Sequence, residues 1–350
     1  MKKKQLNKRQ LSRIQHKQDD YAARASKKLA RAEETLEGQS LGPERPGLVI
    51  SHFGQQLDIE AVDGAEAGSI FRCFQRSNLD PLVTGDEVIW QQGDPLGVVV
   101  AGLPRKTILK RPNNFNELKP VAANIDTLII VIASEPEAHF NLIDRYLVAA
   151  ECIGLRPLIL LNKADLLTAA NGPPLREMLD LYQRIGYPVL EVSGKSLQGM
   201  RELKALLASR TSIFVGQSGV GKSALVNALL PGVNTLEGAL SEHALKGKHT
   251  TTSARLFHFP DGGRLIDSPG IREFGLWHLE DSALQQGFIE FRPYLDACRF
   301  TDCQHEREPG CRLLEAEAQG KIDARWLASF QSIRTTLKAL RPYEKDNVYP

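Results

Sequence analysis

Eight consecutive residues, Gly216-Gln217-Ser218-Gly219-Val220-Gly221-Lys222-Ser223, match the phosphate-loop pattern G-x-x-x-x-G-K-S at every fixed position. An apolar, β-prone run (Ile213, Phe214, Val215) leads in, and Ala224 to Leu230 leads out with helical periodicity. This strand–loop–helix setting is the one the motif needs. Glycines at Gly216, Gly219 and Gly221 let the backbone close around phosphates, so that its N–H groups and the helix N-terminus face the anion. Lys222 is expected to reach the β- and γ-phosphates and to act in catalysis, and the Ser223 hydroxyl is expected to hold Mg²⁺. The bland alternative is a glycine-rich turn before an ordinary helix. The intact motif in its intact context argues against it.

A phosphate loop does not choose a base. Asn162-Lys163-Ala164-Asp165 does, because it has the form N-K-x-D and follows an apolar strand. A carboxylate at Asp165 accepts hydrogen bonds from guanine N1–H and the 2-amino group. Against adenine, which lacks both donors, it would be left buried and unpaired. Asn162 is expected to fix the loop and the base edge, with the Lys163 stem lying over the base. Ser193-Gly194-Lys195, also after a strand, offers a second guanine contact through Ser193, Lys195 and backbone N–H groups.

Asp267-Ser268-Pro269-Gly270 has the D-x-x-G form, in which Asp267 holds Mg²⁺ through water and the Gly270 N–H meets the γ-phosphate. Between it and the phosphate loop lies Gly247-Lys248-His249-Thr250-Thr251-Thr252, where Thr250 or Thr251 is expected to close on Mg²⁺. The polar stretch 232–248 before it suits a switch loop that orders and disorders; a merely Thr-rich surface loop is the competing reading. Ile271 stands where many GTPases carry a water-orienting glutamine, so another group must position the attacking water. His249, whose imidazole can orient water or accept a proton, is the internal candidate for a catalytic role. Slow intrinsic turnover with stimulation by a partner follows from this substitution. An ordinary small GTPase runs from phosphate loop to D-x-x-G and then N-K-x-D. Here N-K-x-D and S-G-K come first, so the same sheet is circularly permuted and the chain leaves it just after the D-x-x-G site. Motion at the γ-phosphate would pull on the C-terminal segment.

That segment contains Cys298-x4-Cys303-x-His305-x5-Cys311. Three thiolates and an imidazole form a closed tetrahedral set, which suits one structural Zn²⁺ better than a catalytic metal with an open position. Cys73 and Cys152 sit in apolar contexts and are expected in the core.

The elements that must position these groups follow from the texture of the 350-residue chain, long enough for two or three domains. With 42% hydrophobic and 25% charged residues the composition is that of a soluble globular protein. No apolar run approaches the ~20 residues that span a bilayer, the charged N-terminus has no secretory h-region, and five cysteines suggest no disulfide framework. A cytoplasmic chain without membrane contact is expected; nothing signals oligomerisation, so monomer is the default. The net charge of +2 hides a basic arm, with eleven Lys or Arg against four Asp or Glu in residues 1–34. Such an arm either contacts nucleic acid or only solubilises. Residues 1–44 are read as this mobile arm. Residues 45–113 hold five short strands (48–50, 56–59, 69–74, 87–90, 97–100) that suit an OB-type β-barrel, which often binds oligonucleotides. The alternative is a small barrel that only packs on its neighbour. Residues 114–279 alternate strand and helix as in a mostly parallel P-loop α/β sheet. Residues 280–350 are mostly helical around the cysteine cluster. Their last helix carries Trp326, Leu327, Phe330, Ile333, Leu337 and Leu340 on one face as core packing.

Taken together, the barrel, the permuted order of GQSGVGKS, NKAD and DSPG, and the C-x4-C-x-H-x5-C segment resemble the bacterial RsgA (YjeQ) family of small-ribosomal-subunit biogenesis GTPases, over residues 45–350. The resemblance implies an OB-fold, a permuted GTPase domain and a zinc domain. It also implies binding to the small ribosomal subunit and its rRNA near the decoding region, GTP hydrolysis stimulated by that subunit, and a role in late maturation. Other assembly factors are a further candidate class of partner, on which the sequence itself is silent. By the same resemblance, GTP contacts fall on Asn162–Asp165 and Gly216–Ser223, extending to Ala224. Zinc ligands fall on Cys298, Cys303, His305 and Cys311, and a switch histidine on His249. A rival from another class is a GTP-controlled RNA-binding scaffold in which hydrolysis is incidental. A nucleotide kinase is disfavoured by the guanine site.

Overall fold

A computed structural model describes residues 41–112, 117–231, 254–267 and 279–340. Residues 1–40 of the basic arm, the switch residues His249, Thr250 and Thr251, and Gly270 with Ile271 lie outside the described residues, while Glu44, at the arm's end, already opens the first strand. The described chain divides into two compact units, one built from most of the first five strands and one from the remainder together with Ile50–His52 and Val83–Asp86.

The first unit contains β1 (Glu44–Phe53), β2 (Gln56–Ala61), β3 (Ile70–Gln75), β4 (Glu87–Gln91) and β5 (Gly97–Gly102). Alternation of buried and half-buried residues along β2 is what one inward face predicts. The strands run in the order β1-β2-β3-β5-β4, and β4 pairs back onto β1, so the sheet closes. β3 and β5 are parallel, while β2–β3, β4–β5 and β1–β4 are antiparallel. A closed five-stranded barrel with this single parallel pair is an OB-type fold. Its interior holds Val49, Leu57, Ile59, Cys73, Val88, Trp90 and Val99, all fully buried. Trp90 donates its indole N–H to the Pro46 carbonyl at 3.3 Å, and a Cβ at Gly47 would run into that indole and into Ile59. Glycine there is a packing requirement.

The second unit begins with a hairpin absent from the sequence reading, β6 (Ile108–Pro112) with β7 (Leu118–Ala123), paired antiparallel. An alternating α/β run follows: β8 (Thr127–Ile132), α1 (Phe140–Ile153), β9 (Arg156–Leu161), α2 (Gly172–Ile185), β10 (Val189–Glu191), α3 (Met200–Leu207), β11 (Thr211–Val215), α4 (Lys222–Leu229), β12 (Arg255–His258) and β13 (Arg264–Asp267). The sheet order is β10-β9-β8-β11-β13-β12, parallel except for β12. All six residues of β8 are buried, as a central parallel strand covered on both faces must be. β11, which feeds the phosphate loop, lies between β8 from earlier in the chain and β13 from later. That placement is the circular permutation expressed as strand order.

Among the described residues three helices close the unit: α5 (Asp281–Gly287), α6 (Arg312–Ala318) and α7 (Ala324–Leu340), with a 3-10 segment at Ile289–Ala297. On α7 the residues Trp326, Leu327, Phe330, Ile333 and Leu337 are buried, so the predicted stripe is core; the Leu340 side chain lies outside the described residues. Phe288 stacks on Phe291 at 4.9 Å and meets Trp326 edge-on at 4.8 Å. Each such pair contributes about 0.5–1.5 kcal/mol beyond area burial. Cys73 is core as expected, and burial pushes its thiol up to about 12. Cys152 corrects the expectation: it is half-buried and donates its thiol to the Ala283 carbonyl at 3.2 Å.

Candidate guanine-nucleotide site and metal cluster

Where neighbouring strands of a parallel sheet connect in opposite directions, their carboxyl ends open a crevice. The phosphate loop occupies that position after β11. Gly216, Gly219 and Gly221 all have positive φ (137°, 85° and 89°), which residues with a Cβ rarely adopt. A Cβ at Gly216 would collide with the Val131 carbonyl oxygen, so the loop presses on the end of β8. Val220 is buried and anchors the loop in the sheet–helix core, while Ser218 and Gly219 are exposed and Gln217 is half-buried. Lys222, the first residue of α4, donates its ammonium to the Gly216 carbonyl at 2.8 Å and the Gln217 carbonyl at 2.5 Å. The charge thus lies across the concave backbone it is meant to serve. Ser223 is half-buried behind it and Ala224 is exposed, whereas Leu225, Val226 and Leu229 fix the helix to the core.

Asn162 carries the geometry of the whole site. It is 2% exposed at the end of β9. Its side-chain amide donates to the Val220 carbonyl at 2.9 Å and the Gly221 carbonyl at 3.4 Å, and its Oδ1 accepts from the Gly194 N–H at 3.2 Å. One side chain therefore ties N-K-x-D, the phosphate loop and S-G-K together. Lys163 adopts a left-handed conformation (φ 62°) and donates to the Glu135 carbonyl at 2.7 Å. Asp165 is exposed on the 3-10 turn Ala164–Leu166. The fully buried Ser193 hydroxyl accepts from the N–H groups of Lys195 (3.2 Å) and Ser196 (2.9 Å), which shapes the turn and leaves Lys195 exposed. Asp267, half-buried, ends β13 beside β11, one residue past the Ile213–Ile266 register pair. The described members of the predicted site thus converge on one edge of the sheet. The Glu135 carbonyl was missed in the sequence, because a backbone acceptor leaves no residue-type signature.

The second cluster is equally compact. The ligand atoms of Cys298, Cys303, His305 and Cys311 all lie within 4.8 Å of one another. The Cys298–Cys311 sulfurs are 4.0 Å apart, Cys298 Sγ to His305 Nδ1 is 3.7 Å, and His305 Nδ1 to Cys311 Sγ is 3.3 Å. A tetrahedron with Zn–S near 2.3 Å has edges of about 3.6–3.8 Å. The donor set and its spacing fit Zn²⁺. The other imidazole nitrogen, Nε2, lies 3.4 Å from Gln285 Oε1, an outer contact that leaves Nδ1 as the ligand atom, and the Arg312 N–H donates to Cys298 Sγ at 3.3 Å. Burial, and then the adjacent Arg334, hold His305 in its neutral, ligating form. Burial pushes the Cys303 thiol up to about 12 and raises Cys311 as well. A divalent cation among them would reverse those shifts, since the thiolate is the ligand.

The sequence pattern of a family described as RsgA GTPase matches residues 102–277. A "Small ribosomal subunit biogenesis GTPase RsgA" from Pseudomonas fluorescens is 57% identical over 96% of this chain and 98% of its own length. The chain belongs to the RsgA GTPase family. Another RsgA, from Azotobacter vinelandii, is 58% identical over the same shares of the two chains. Among solved structures, YjeQ from Thermotoga maritima superposes with a TM-score of 0.70 at 31% identity, covering 85% of this chain and 99% of that one. YloQ, described as a circularly permuted GTPase, gives a TM-score of 0.68 at 23% identity, covering 86% and 97%, and supports the fold. RsgA membership makes this chain a GTPase of ribosome biogenesis, and the sheet order above supplies the permutation.

Proposed function

We propose that this chain binds GTP through the crevice at the ends of β9, β10, β11 and β13, hydrolyses it to GDP and phosphate with Mg²⁺, and does so on the small ribosomal subunit late in its maturation. The observation that carries the reading is the Asn162 tie: one buried side chain fixes the base-reading and phosphate-reading loops to each other, which lowers the cost of ordering them around a nucleotide. The relatives' names supply the subunit.

Asp165 reads the guanine edge, with Asn162, Lys163, Ser193 and Lys195 around the base. Gly216 to Ser223, with Ala224, hold the phosphates, and Lys222 neutralises charge that builds on the β/γ bridge. Ser223, Asp267 and Thr251 (or Thr250) hold Mg²⁺, which supplies further charge neutralisation there. His249 orients the attacking water that Ile271 cannot, and the Gly270 N–H meets the γ-phosphate. Cys298, Cys303, His305 and Cys311 hold one structural Zn²⁺, which fixes the chain between the 3-10 segment and α6. The chain falls functionally into a basic arm (1–44), an OB-type barrel (45–113), the GTPase domain (114–279) and the zinc-bearing helical domain (280–350). The chain works in the cytoplasm, as a monomer, with rRNA and other assembly factors as neighbours. Among the described residues no helix is long and apolar enough to cross a membrane.

One feature of the barrel favours the scaffold reading as a second role. Phe53 is 42% exposed and the Arg72 guanidinium stacks over its ring at 4.8 Å. An exposed ring with a cation beside it is a stacking platform for a nucleobase. GTP hydrolysis measured with and without small subunits, using ATP and large subunits as controls, tests the proposal. A large rise with small subunits and GTP only is expected. GTP binding without such a rise would remove the subunit as activator and leave the scaffold.

A further inference from the structure

At the opposite, amino-terminal edge of the same sheet lies a cavity of about 480 Å³, within the size range of small-molecule sites. It is formed where β8, β9, β10 and β11 begin, so it shares no residue with the nucleotide crevice at their other ends. Its walls are apolar, with Leu155, Leu207 and Ile289 among them, and two arginines, Arg156 and Arg210, line it. Neither guanidinium has an ion-pair or hydrogen-bond partner among the described residues. The acid in the lining, Glu151, is already engaged with Arg292 at 2.6 Å. Among the described residues both positive charges are therefore left without an ionic partner, Arg156 exposed and Arg210 half-buried.

The lining also includes Thr127 (2% exposed) and Tyr187 (4% exposed), and neither hydroxyl has a hydrogen-bond partner among the described residues. Both oxygens are closed off from solvent, and the Tyr187 ring packs edge-on against Trp326, so these residues give the cavity a rigid floor and the two arginines carry its polar chemistry. We propose that this cavity binds a small organic phosphate monoester, an aromatic or alkyl body with one terminal phosphate. The dianionic headgroup matches two arginines in charge and accepts their N–H groups. The apolar walls take the body. Ile289 belongs to the 3-10 segment after the sheet, so the occupant would touch the GTPase sheet and the zinc-bearing end of the chain at once. Occupancy would brace that segment against the sheet independently of the guanine nucleotide.

The test uses the full-length zinc-loaded protein saturated with GDP and Mg²⁺, so that the nucleotide site is filled, with phenyl phosphate as the probe in equilibrium dialysis. Inorganic phosphate and benzyl alcohol each supply half of the chemistry. Saturable 1:1 binding of phenyl phosphate is expected, with both halves binding far more weakly. The Arg156→Gln/Arg210→Gln double variant should weaken it about tenfold or more, the loss of two charge-assisted contacts. Leu206→Trp, a substitution at a partly exposed position lining the cavity, should block the probe by filling space while both arginines stay. GDP affinity and the thermal midpoint should not move in either variant. No saturable binding by the native protein, or undiminished binding in the double variant, would overturn the proposal.

Discussion

Replacing Asn162 by alanine would strip the Val220 and Gly221 carbonyls of a donor and the Gly194 N–H of its acceptor in one step. Orphaned buried groups cost about 1–3 kcal/mol each, less where water reaches them. Asn162→Ala is therefore expected to weaken GTP and GDP alike by at least about tenfold, since both nucleotides use the joined loops. Titration with fluorescent nucleotide analogues reads this directly, and an unchanged affinity for both would show that the loops hold position without the tie. His249 predicts a different pattern. His249→Ala should lower turnover by about 10²-fold or more at nearly constant GTP affinity, the signature of a group acting on the attacking water. Unchanged turnover would remove its assignment. Asn162 acts on binding and His249 on chemistry, so the two variants separate the pieces of the same site.

At the scale of elements, the zinc cluster is the next to test, because the chain from the 3-10 segment to α6 is short and irregular and is held at four side chains. One zinc per chain is expected by elemental analysis. Cys311→Ser should lose it and raise hydrogen exchange from residue 298 through α6, with the core strands β8 and β11 still protected. Full zinc occupancy in that variant would show that the other three residues suffice. The same scale shows what was readable beforehand. Of the barrel strands β2 and β4 are visible because one face is buried, which writes a period of two, and β1, β3 and β5 because short β-prone runs stand between turn residues; the phosphate loop is visible because its glycines and lysine fall within eight residues. The β6–β7 hairpin was not: its strand Leu118–Ala123 buries only its last three residues, so it gives no alternation, and the link between the strands lies outside the described residues. The Asn162 tie was half-read. N-K-x-D announces itself locally, but a partner 58 residues away, at Val220, is a product of the sheet and not of spacing. Cys152 misled because its neighbours are apolar while its own helix position is only half-buried.

Across the whole second unit, nucleotide site and zinc segment are joined by α1, which packs on both α5 and α7. Asp144 of α1, fully buried, accepts from the Tyr182 hydroxyl at 2.6 Å and from Arg325 of α7 at 3.1 Å, and the Arg325 guanidinium also lies 3.9 Å from the Phe140 ring centroid. Burial raises the Asp144 carboxyl above its ordinary range, and Arg325 opposes that shift. Arg325→Leu removes the opposition and leaves a buried carboxylate. Breaking a buried pair from one side costs about 3–5 kcal/mol, reduced here because the acid can take up a proton instead. The sign follows from linkage: with its folded pKa above the unfolded value of about 3.9, Asp144 binds its proton more tightly in the folded chain, so stability falls as pH rises between those two values. The deficit of Arg325→Leu against the native chain in urea should therefore be largest where the Asp144 carboxyl is ionised and shrink on acidification as that carboxyl takes up its proton, with zinc kept saturating throughout. Asp144→Asn combined with Arg325→Leu should recover part of the loss and flatten its pH dependence, because no charge is then left to bury. A deficit that stayed constant or widened on acidification would mean that Arg325 stabilises α7 through its aromatic packing alone, and that the charge pair between α1 and α7 contributes nothing.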